Sequence, residues 1–384
     1  MARKNRLVVS DGVYHVTTRV ANRAFLFRDD ELKDRIVEWM YGVADFSGVD
    51  LLAWCVMENH LHLLVHVPDV PERLWLDGSR PPTPSDFTLR PAECNPSRWI
   101  SSGDSPLSAG DSPRPRPPVG FMLSDDEMVE RLVGLYGQKA ATAKGEYWTQ
   151  MRSNGRNAEV DAEKERYCRR MYNISQFVKT LKERIAMRYN NGTYRAGNKK
   201  GKGTRREPEH AGHLFEGRFY SSLVERTREG YGAVASYIGV NPVKAGIADS
   251  PASWSWSSFA LAVNGGGMRA QRCREAYERM FGCGWEEARA LMEKMMSDRL
   301  PEGFDQERDG FTYEADDGDG VLRRRPLRVT QAIWLRVRAF THGTVISRDP
   351  SFAMGILARH PRNFPHGGTW SVDFFGRLDW SNVA

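Results

Sequence analysis

Cysteine is scarce in this chain of 384 residues: Cys55, Cys94, Cys168, Cys273 and Cys283 make an odd total with no CxxC pair. That argues against a disulfide scaffold or a cysteine zinc ribbon and suits a reducing cytoplasm. Long apolar runs are also missing. The longest, around Leu51 to Val67, is broken by Glu58, Asn59 and three histidines, so neither a transmembrane helix nor a membrane partner is expected. The start, Met1 to Arg6, is charged, but only Leu7-Val8-Val9 follows before polar residues return, and no export segment is expected. No internal repeat is present, which excludes a solenoid. What remains is an ordinary globular mixture, 40% hydrophobic and 27% charged, in a chain long enough for more than one compact unit.

The net charge of +6 is small, and its distribution says more than its size. Lys164 to Arg228 holds seventeen Lys and Arg against six Asp and Glu, including Lys199, Lys200, Lys202, Arg205 and Arg206, whereas Glu302 to Asp319 is predominantly acidic. A basic stretch is either a solvated surface or a phosphate-binding one.

Residues 12–20 are rich in β-branched and aromatic types and predict a strand. Leu32, Ile36, Val37, Met40 and Val43 recur at helical spacing after Asp29-Asp30. Val49–Val56 and His60–Val67 predict two strands joined at Met57-Glu58-Asn59, giving the order strand, helix, strand, strand of an α+β fold. From Pro68 to about Pro118, Pro, Ser, Gly and Arg crowd the sequence and forbid regular structure. Helices are expected at 124–136 and 175–189, a strand within 213–224, and a helix from Thr227, a good N-cap, to Asn241-Pro242. Beyond 262 the pattern is mainly helical, with 285–296 and 330–340 clearest; the latter is either packed support or half of a helix-turn-helix carrying Arg336 and Arg338.

Strand alternation puts His60 and His62 on one face, with Leu64 and His66 continuing it, so two imidazoles can converge on one ion; a third ligand is needed. In the helix after Thr227 the core stripe is Tyr231, Val234, Ala235 and Ile238, leaving Tyr237 off it and Asn241 one turn further on the same flank. That pair is either a functional phenol and amide or an ordinary tyrosine and a C-cap.

Four ordered segments, Tyr14-His15-Val16-Thr17-Thr18-Arg19, Met57-Glu58-Asn59-His60-Leu61-His62-Leu63-Leu64-Val65, Gly212 to Phe219 and Tyr237 to Gly246, resemble the single-tyrosine HUH transposases of the insertion-sequence-200-like kind. The subgroup they resemble most is the REP-associated tyrosine transposases. The resemblance spans roughly 9–67 and 173–258, and Thr341–Ile346 with Ser351-Phe352 weakly resembles the C-terminal extension of larger members.

It implies a ferredoxin-like antiparallel sheet with helices on its face, the HUH endonuclease fold. The catalytic domain is expected over 1–67 and 173–260, interrupted by a Pro/Ser-rich and then helical insertion at 68–172, with a mainly helical extension over 262–384. The central strand would carry His60 and His62 and face a helix carrying the nucleophile Tyr237, with Asn241 completing a site for Mg²⁺ or Mn²⁺. The implied reaction is cleavage and rejoining of single-stranded, hairpin-bearing DNA through a 5′-phosphotyrosine, in a cytoplasmic, nucleoid-associated protein that is a monomer or a homodimer. Lys199, Lys200, Lys202, Arg205, Arg206 and Arg218 are the expected backbone contacts. Phe219 and Tyr220 are either base-stacking or core residues, and Glu58 is one option for a base. Two other readings stay open: a domesticated hairpin-binding protein that does not cleave, and a zinc protein using His60, His62 and His66.

Overall fold

Gly12–Arg19 (β1) buries Tyr14, Val16 and Thr18 on one face and carries His15, Thr17 and Arg19 on the other, the alternation that a pleated strand imposes. It belongs to a computed structural model that describes residues 8–76, 120–190 and 213–300, three short strands at 312–316, 322–326 and 345–346, and the single positions Phe352 and Ile356. Asp30–Ser47 (α1) follows. The Asp29 carboxylate accepts from the Leu32 amide at 2.8 Å, and Gly48 stops the helix in the left-handed region at φ 66°. Asp50–Val56 (β2) and His60–Val67 (β3), the two expected strands, form a hairpin, closed by a 2.9 Å bond from Met57 N to His60 O.

The next elements are Asp125–Tyr136 (α2), Gln138–Ser153 (α3), Asn157–Cys168 (α4), Ile174–Asn190 (α5), Tyr220–Val224 (β4) and Arg228–Lys244 (α6). Ser258–Asn264 (α7), Gly267–Phe281 (α8) and Trp285–Ser297 (α9) complete the helices with stated bounds. Thr312–Asp316 (β5) pairs with Leu322–Pro326 (β6), and Val345–Ile346 (β7) joins the main sheet. The main sheet runs β2-β3-β1-β4-β7; its first four strands are antiparallel, and β7 lies parallel to β4. The fold is α+β, as expected. No helix among the described residues is long and apolar enough to cross a membrane.

The two sheet faces have different helices. Trp54 sits opposite Leu63, and its indole N–H donates to Tyr41 Oη of α1 at 3.2 Å, so α1 covers the leucine face of β3. On the histidine face α6 crosses β2 and β3, backed in turn by α8 and α9. The outer edge of β2 is closed by the chain after α6: Val56 N donates to Trp256 O at 2.8 Å, Trp254 Nε1 to Val56 O at 3.0 Å and Trp54 N to Ser258 Oγ at 3.0 Å.

The structure revises several sequence expectations. The helix through Tyr237 continues to Lys244 rather than ending at Asn241-Pro242, because Pro242 lies in its last turn, where the lost amide costs one bond and Ala245 N still reaches Asn241 O at 2.9 Å. Asn241 is therefore inside the helix and not its C-cap. The strand expected within 213–224 begins only at Tyr220; the preceding segment touches β1 through the isolated bridge Val20–Phe215. The region after 262 is less purely helical than expected, since β5, β6 and β7 lie in it, and Asp317-Gly318-Asp319-Gly320 between β5 and β6 is a hairpin-turn sequence that the helical reading overlooked. Residues 330–340, with Arg336 and Arg338, lie outside the described residues, as does most of the Pro-rich stretch. Ser124 caps α2 with a full capping box through Glu127.

The helices α2 to α4 are tied to α1 at a close crossing. An added methyl on Gly42 would strike the Gly134 carbonyl, and one on Gly134 would strike that of Gly42. Within this unit Lys164, 3% exposed, and Arg152 both bind the Asp125 carboxylate at 2.5 Å; the hydrogen bond from Arg152, then that from Lys164 and the two charges, hold its pKa down at about 2 against the opposing effect of burial.

Two predictions follow from this packing. Gly42→Ala should lower stability by about 1–3 kcal/mol in urea unfolding although alanine favours helix by about 1 kcal/mol, because backbone cannot yield as a side chain can. Asp125→Asn should cost about 2–3 kcal/mol at pH 7, less than a fully buried pair because the carboxylate is partly solvated. Its folded pKa lies below the unfolded value of about 3.9, so the stabilisation is present above that pH and is lost as pH falls through 2; the gap between wild type and variant should narrow over the same range.

Candidate active site

The antiparallel register of β1 and β3 sets Arg19 opposite His60 and Thr17 opposite His62, with His15 diagonal to His62. All five side chains therefore share one face. His60 and His62 meet edge to face with ring centroids 4.8 Å apart, and His15 lies nearly coplanar with His62, 14° between planes and centroids 5.4 Å apart, with His15 Nε2 at 3.1 Å from His62 Nδ1. Tyr237 descends from α6 onto this group, edge to face with His62 at 5.4 Å and with His15 at 5.7 Å.

Tyr237 is 6% exposed, although it lies off the core stripe that helical periodicity marks. The reason is that α6 is enclosed between the sheet and α8 and α9, so no side of it is a solvent flank. Gly232 and Gly239 face Met295 and Met296, where an added Cβ would come within 2.5 and 2.6 Å of the sulfurs; the absence of side chains lets α9 sit against α6. Behind the tyrosine, Arg299 donates to Ser236 Oγ at 2.7 Å and to Ala233 O at 2.8 Å.

Electrostatics follow from burial. The pKa values of His60 and His15 fall to about 4, His60 chiefly through burial and secondarily through the Arg19 charge, and His15 through burial. His62 lies well below its usual value through burial, with the neighbouring His60, His15 and Arg19 adding to the effect. At neutral pH the three imidazoles are uncharged, as a metal ligand must be. Burial raises the Tyr237 phenol, opposed by a hydrogen bond from Asn241 and the charges of Arg19 and Arg299. Lys244, one face further along α6, is lowered to about 8 by burial and by Arg299.

Two orientations define the donor atoms. Asn59 Nδ2 donates to Arg23 O at 3.1 Å, so its Oδ1 faces His60 Nδ1 at 2.6 Å and accepts from it. The His60 lone pair is thereby on Nε2. Asn241 Nδ2 donates to Tyr237 O at 2.8 Å, leaving Oδ1 as the free end of that amide. Among the described residues no group of three His, Cys, Asp or Glu side chains could hold a metal ion. Two imidazole nitrogens and an amide oxygen are nevertheless donors that Mg²⁺ or Mn²⁺ accepts, and these residues fit such an ion.

His66, on the same face of β3, does not join the cluster. It stands two strand repeats away, with Nε2 at 2.6 Å from Asp11 Oδ1 and Nδ1 at 3.1 Å from Asp50 Oδ2, which removes the basis for a zinc site built from His60, His62 and His66. Glu58 lies at the hairpin bend in an ion pair with Arg28 at 3.6 Å. Lys199, Lys200, Lys202, Arg205 and Arg206 fall outside the described residues; Arg218 is exposed. Phe219 is in the core, whereas Tyr220, opposite Thr17 on β4, is 67% exposed.

Sequence reasoning missed His15, Thr17, Arg19 and Arg299 as neighbours of the site. The first three were available as a period-two row on a predicted strand; Arg299 had no local signal.

No curated protein matches the chain. A solved REP-associated tyrosine transposase bound to a REP hairpin is similar at 14% identity and a TM-score of 0.30, over 68% of this chain and 86% of that one, a likeness too low to carry an argument. Residues 8–71 match the family described as "Transposase IS200 like". This match spans β1, α1, β2 and β3, the segment that holds His15, Arg19, His60 and His62, and it likens that part of the chain to the IS200-like transposases.

Proposed function

We propose that this chain cuts and rejoins single-stranded DNA through a covalent bond to Tyr237. The observation that carries the reading is the phenol of Tyr237 held edge-on against His62 and His15, on a helix facing the strand that bears His60 and His62. A tyrosine in ordinary packing has no need of two neutral imidazoles set against its ring.

In the proposed step Tyr237 Oη attacks a backbone phosphorus and the P–O3′ bond breaks. The phenolic proton is released, the leaving 3′-oxygen takes up a proton, and the products are a 5′-phosphotyrosine and a free 3′-OH. The new ester replaces the broken one, so attack by another 3′-OH reverses the chemistry without ATP. His60 and His62, through their Nε2 atoms, and Asn241, through Oδ1, would hold Mg²⁺ or Mn²⁺. When bound, that ion supplies Lewis-acid polarisation of the phosphate.

Substrate binding uses the open part of the same face. Arg19 forms no ion pair among the described residues, and its field reaches His60, His62 and Tyr237, which suits a guanidinium that meets a phosphate. Tyr220 offers an exposed ring one strand away, suited to stacking on an unpaired base. The basic run from Lys199 to Arg206, with Arg218, would track the backbone. Recognition of a hairpin end is part of the proposal, and it follows from the resemblance of the four sequence segments to the REP-associated transposases.

The test uses 3′-labelled single-stranded hairpin oligonucleotides with Mn²⁺ and a denaturing gel. Wild type should give a protein-linked label and Tyr237→Phe none, while Arg19→Gln should reduce it about 10–100-fold. An unchanged adduct in Tyr237→Phe contradicts the nucleophile, and binding without any adduct favours the non-cleaving reading.

A further inference from the structure

The two proposed imidazole ligands are held differently. His60 Nδ1 faces a carbonyl-type oxygen, Asn59 Oδ1, which can only accept. His62 Nδ1 faces His15 Nε2 at 3.1 Å and Thr17 Oγ1 at 3.2 Å, both of which can donate or accept. Between two neutral imidazole nitrogens at that distance one proton is shared out, so the tautomers of the two rings are coupled. If His15 Nε2 is the acceptor, His62 carries its hydrogen on Nδ1 and presents a lone pair at Nε2. If His15 Nε2 is the donor, His62 accepts at Nδ1 and its Nε2 is protonated, and it cannot bind an ion there. Thr17 follows either arrangement, since a hydroxyl rotates.

We propose that His15 is a positioning residue that accepts a hydrogen bond from His62 Nδ1 and so sets the tautomer and ring orientation in which His62 Nε2 can ligate a divalent ion. The two rings lie nearly coplanar and edge to edge, 14° from parallel with centroids 5.4 Å apart, which puts the N–H···N contact in line, and the Tyr237 ring lies against both, so the same side chain fixes the ligand and flanks the proposed nucleophile. The His60 ring meets His62 edge to face, the Arg19 charge acts on it from nearby, and no acid faces the pair among the described residues; since the Thr17 hydroxyl follows either arrangement, the tautomer of His15 goes with that of His62. His15 touches neither the phosphate nor the ion in this scheme. It does for His62 what Asn59 does for His60.

The proposal rests on the reading of His60, His62 and Asn241 as ion ligands, and the test separates the two. The full chain, labelled with ¹⁵N at its nine histidines, is examined without metal by long-range ¹H–¹⁵N correlation, with assignment from His15→Gln and His62→Gln. The expected result is a protonated Nδ1 and an unprotonated Nε2 for His62, and an unprotonated Nε2 for His15. A His62 ring protonated at Nε2 overturns the proposal whatever the protein does with metal or DNA.

Mn²⁺ binding is then measured by calorimetry for wild type, His15→Phe and His15→Gln, each checked for cooperative unfolding. His15→Phe keeps an aromatic ring without an acceptor and should bind about 10–100-fold more weakly, whereas His15→Gln, which offers a carbonyl oxygen, should recover most of the loss. Equal affinity in His15→Phe and wild type overturns the positioning role. Failure of wild type to bind Mn²⁺ overturns the ligand reading beneath it, and the tautomer spectrum still decides the His15–His62 contact.

Discussion

The pairing register of β1 with β3 is the constraint on which the site depends. Thr17 opposite His62 and Arg19 opposite His60 bring one row from each strand to the same face, while Leu61 and Leu63 point into the core beneath α1. A slip of one residue would exchange these rows, burying histidines among apolar side chains and exposing leucines to α6. The apolar half of the strand therefore specifies the position of the polar half. Hydrophobic burial, which has no interest in chemistry, fixes where the imidazoles stand.

The second constraint is the enclosure of α6. A helix packed on a sheet usually keeps a solvent face, and its side chains there move freely. Here α8 and α9 occupy that face, Gly232 and Gly239 admit Met295 and Met296, and Arg299 is hydrogen-bonded to the turn before Tyr237. The Tyr237 ring is held against His62 and His15, which are themselves hydrogen-bonded, so the arrangement is preorganised. The helices after 258 thus take part in holding the proposed nucleophile. The segment between α6 and α7 closes the edge of β2, which would otherwise be open to pairing.

Much of this was legible in the sequence and some was not, for physical reasons. His60 and His62 could be read because period-two spacing is local, and Tyr237 and Asn241 because one helical turn is local. The burial of Tyr237 was not legible, since it depends on α8 and α9, some 30 to 60 residues further on. His15 and His62 are 47 residues apart, and only the strand register makes them neighbours. The helices α3 and α4 escaped notice because their sequences are largely polar, with few apolar positions to mark a period. Pro242 was read as a stop, but proline in a final turn removes only one bond. Phe219 and Tyr220 looked alike as residue types; their different burial reflects the strand starting between them.

The central claim is that Tyr237 forms the covalent link to DNA. Trypsin would place Tyr237 with Tyr231 in one peptide, Glu229 to Lys244, so the attachment point must be resolved within it. Fragmentation mass spectrometry of the DNA-linked protein after nuclease digestion does this directly. The account predicts a nucleotide phosphate on Tyr237; a phosphate on Tyr231, on the exposed Tyr220 or on any other side chain would contradict it.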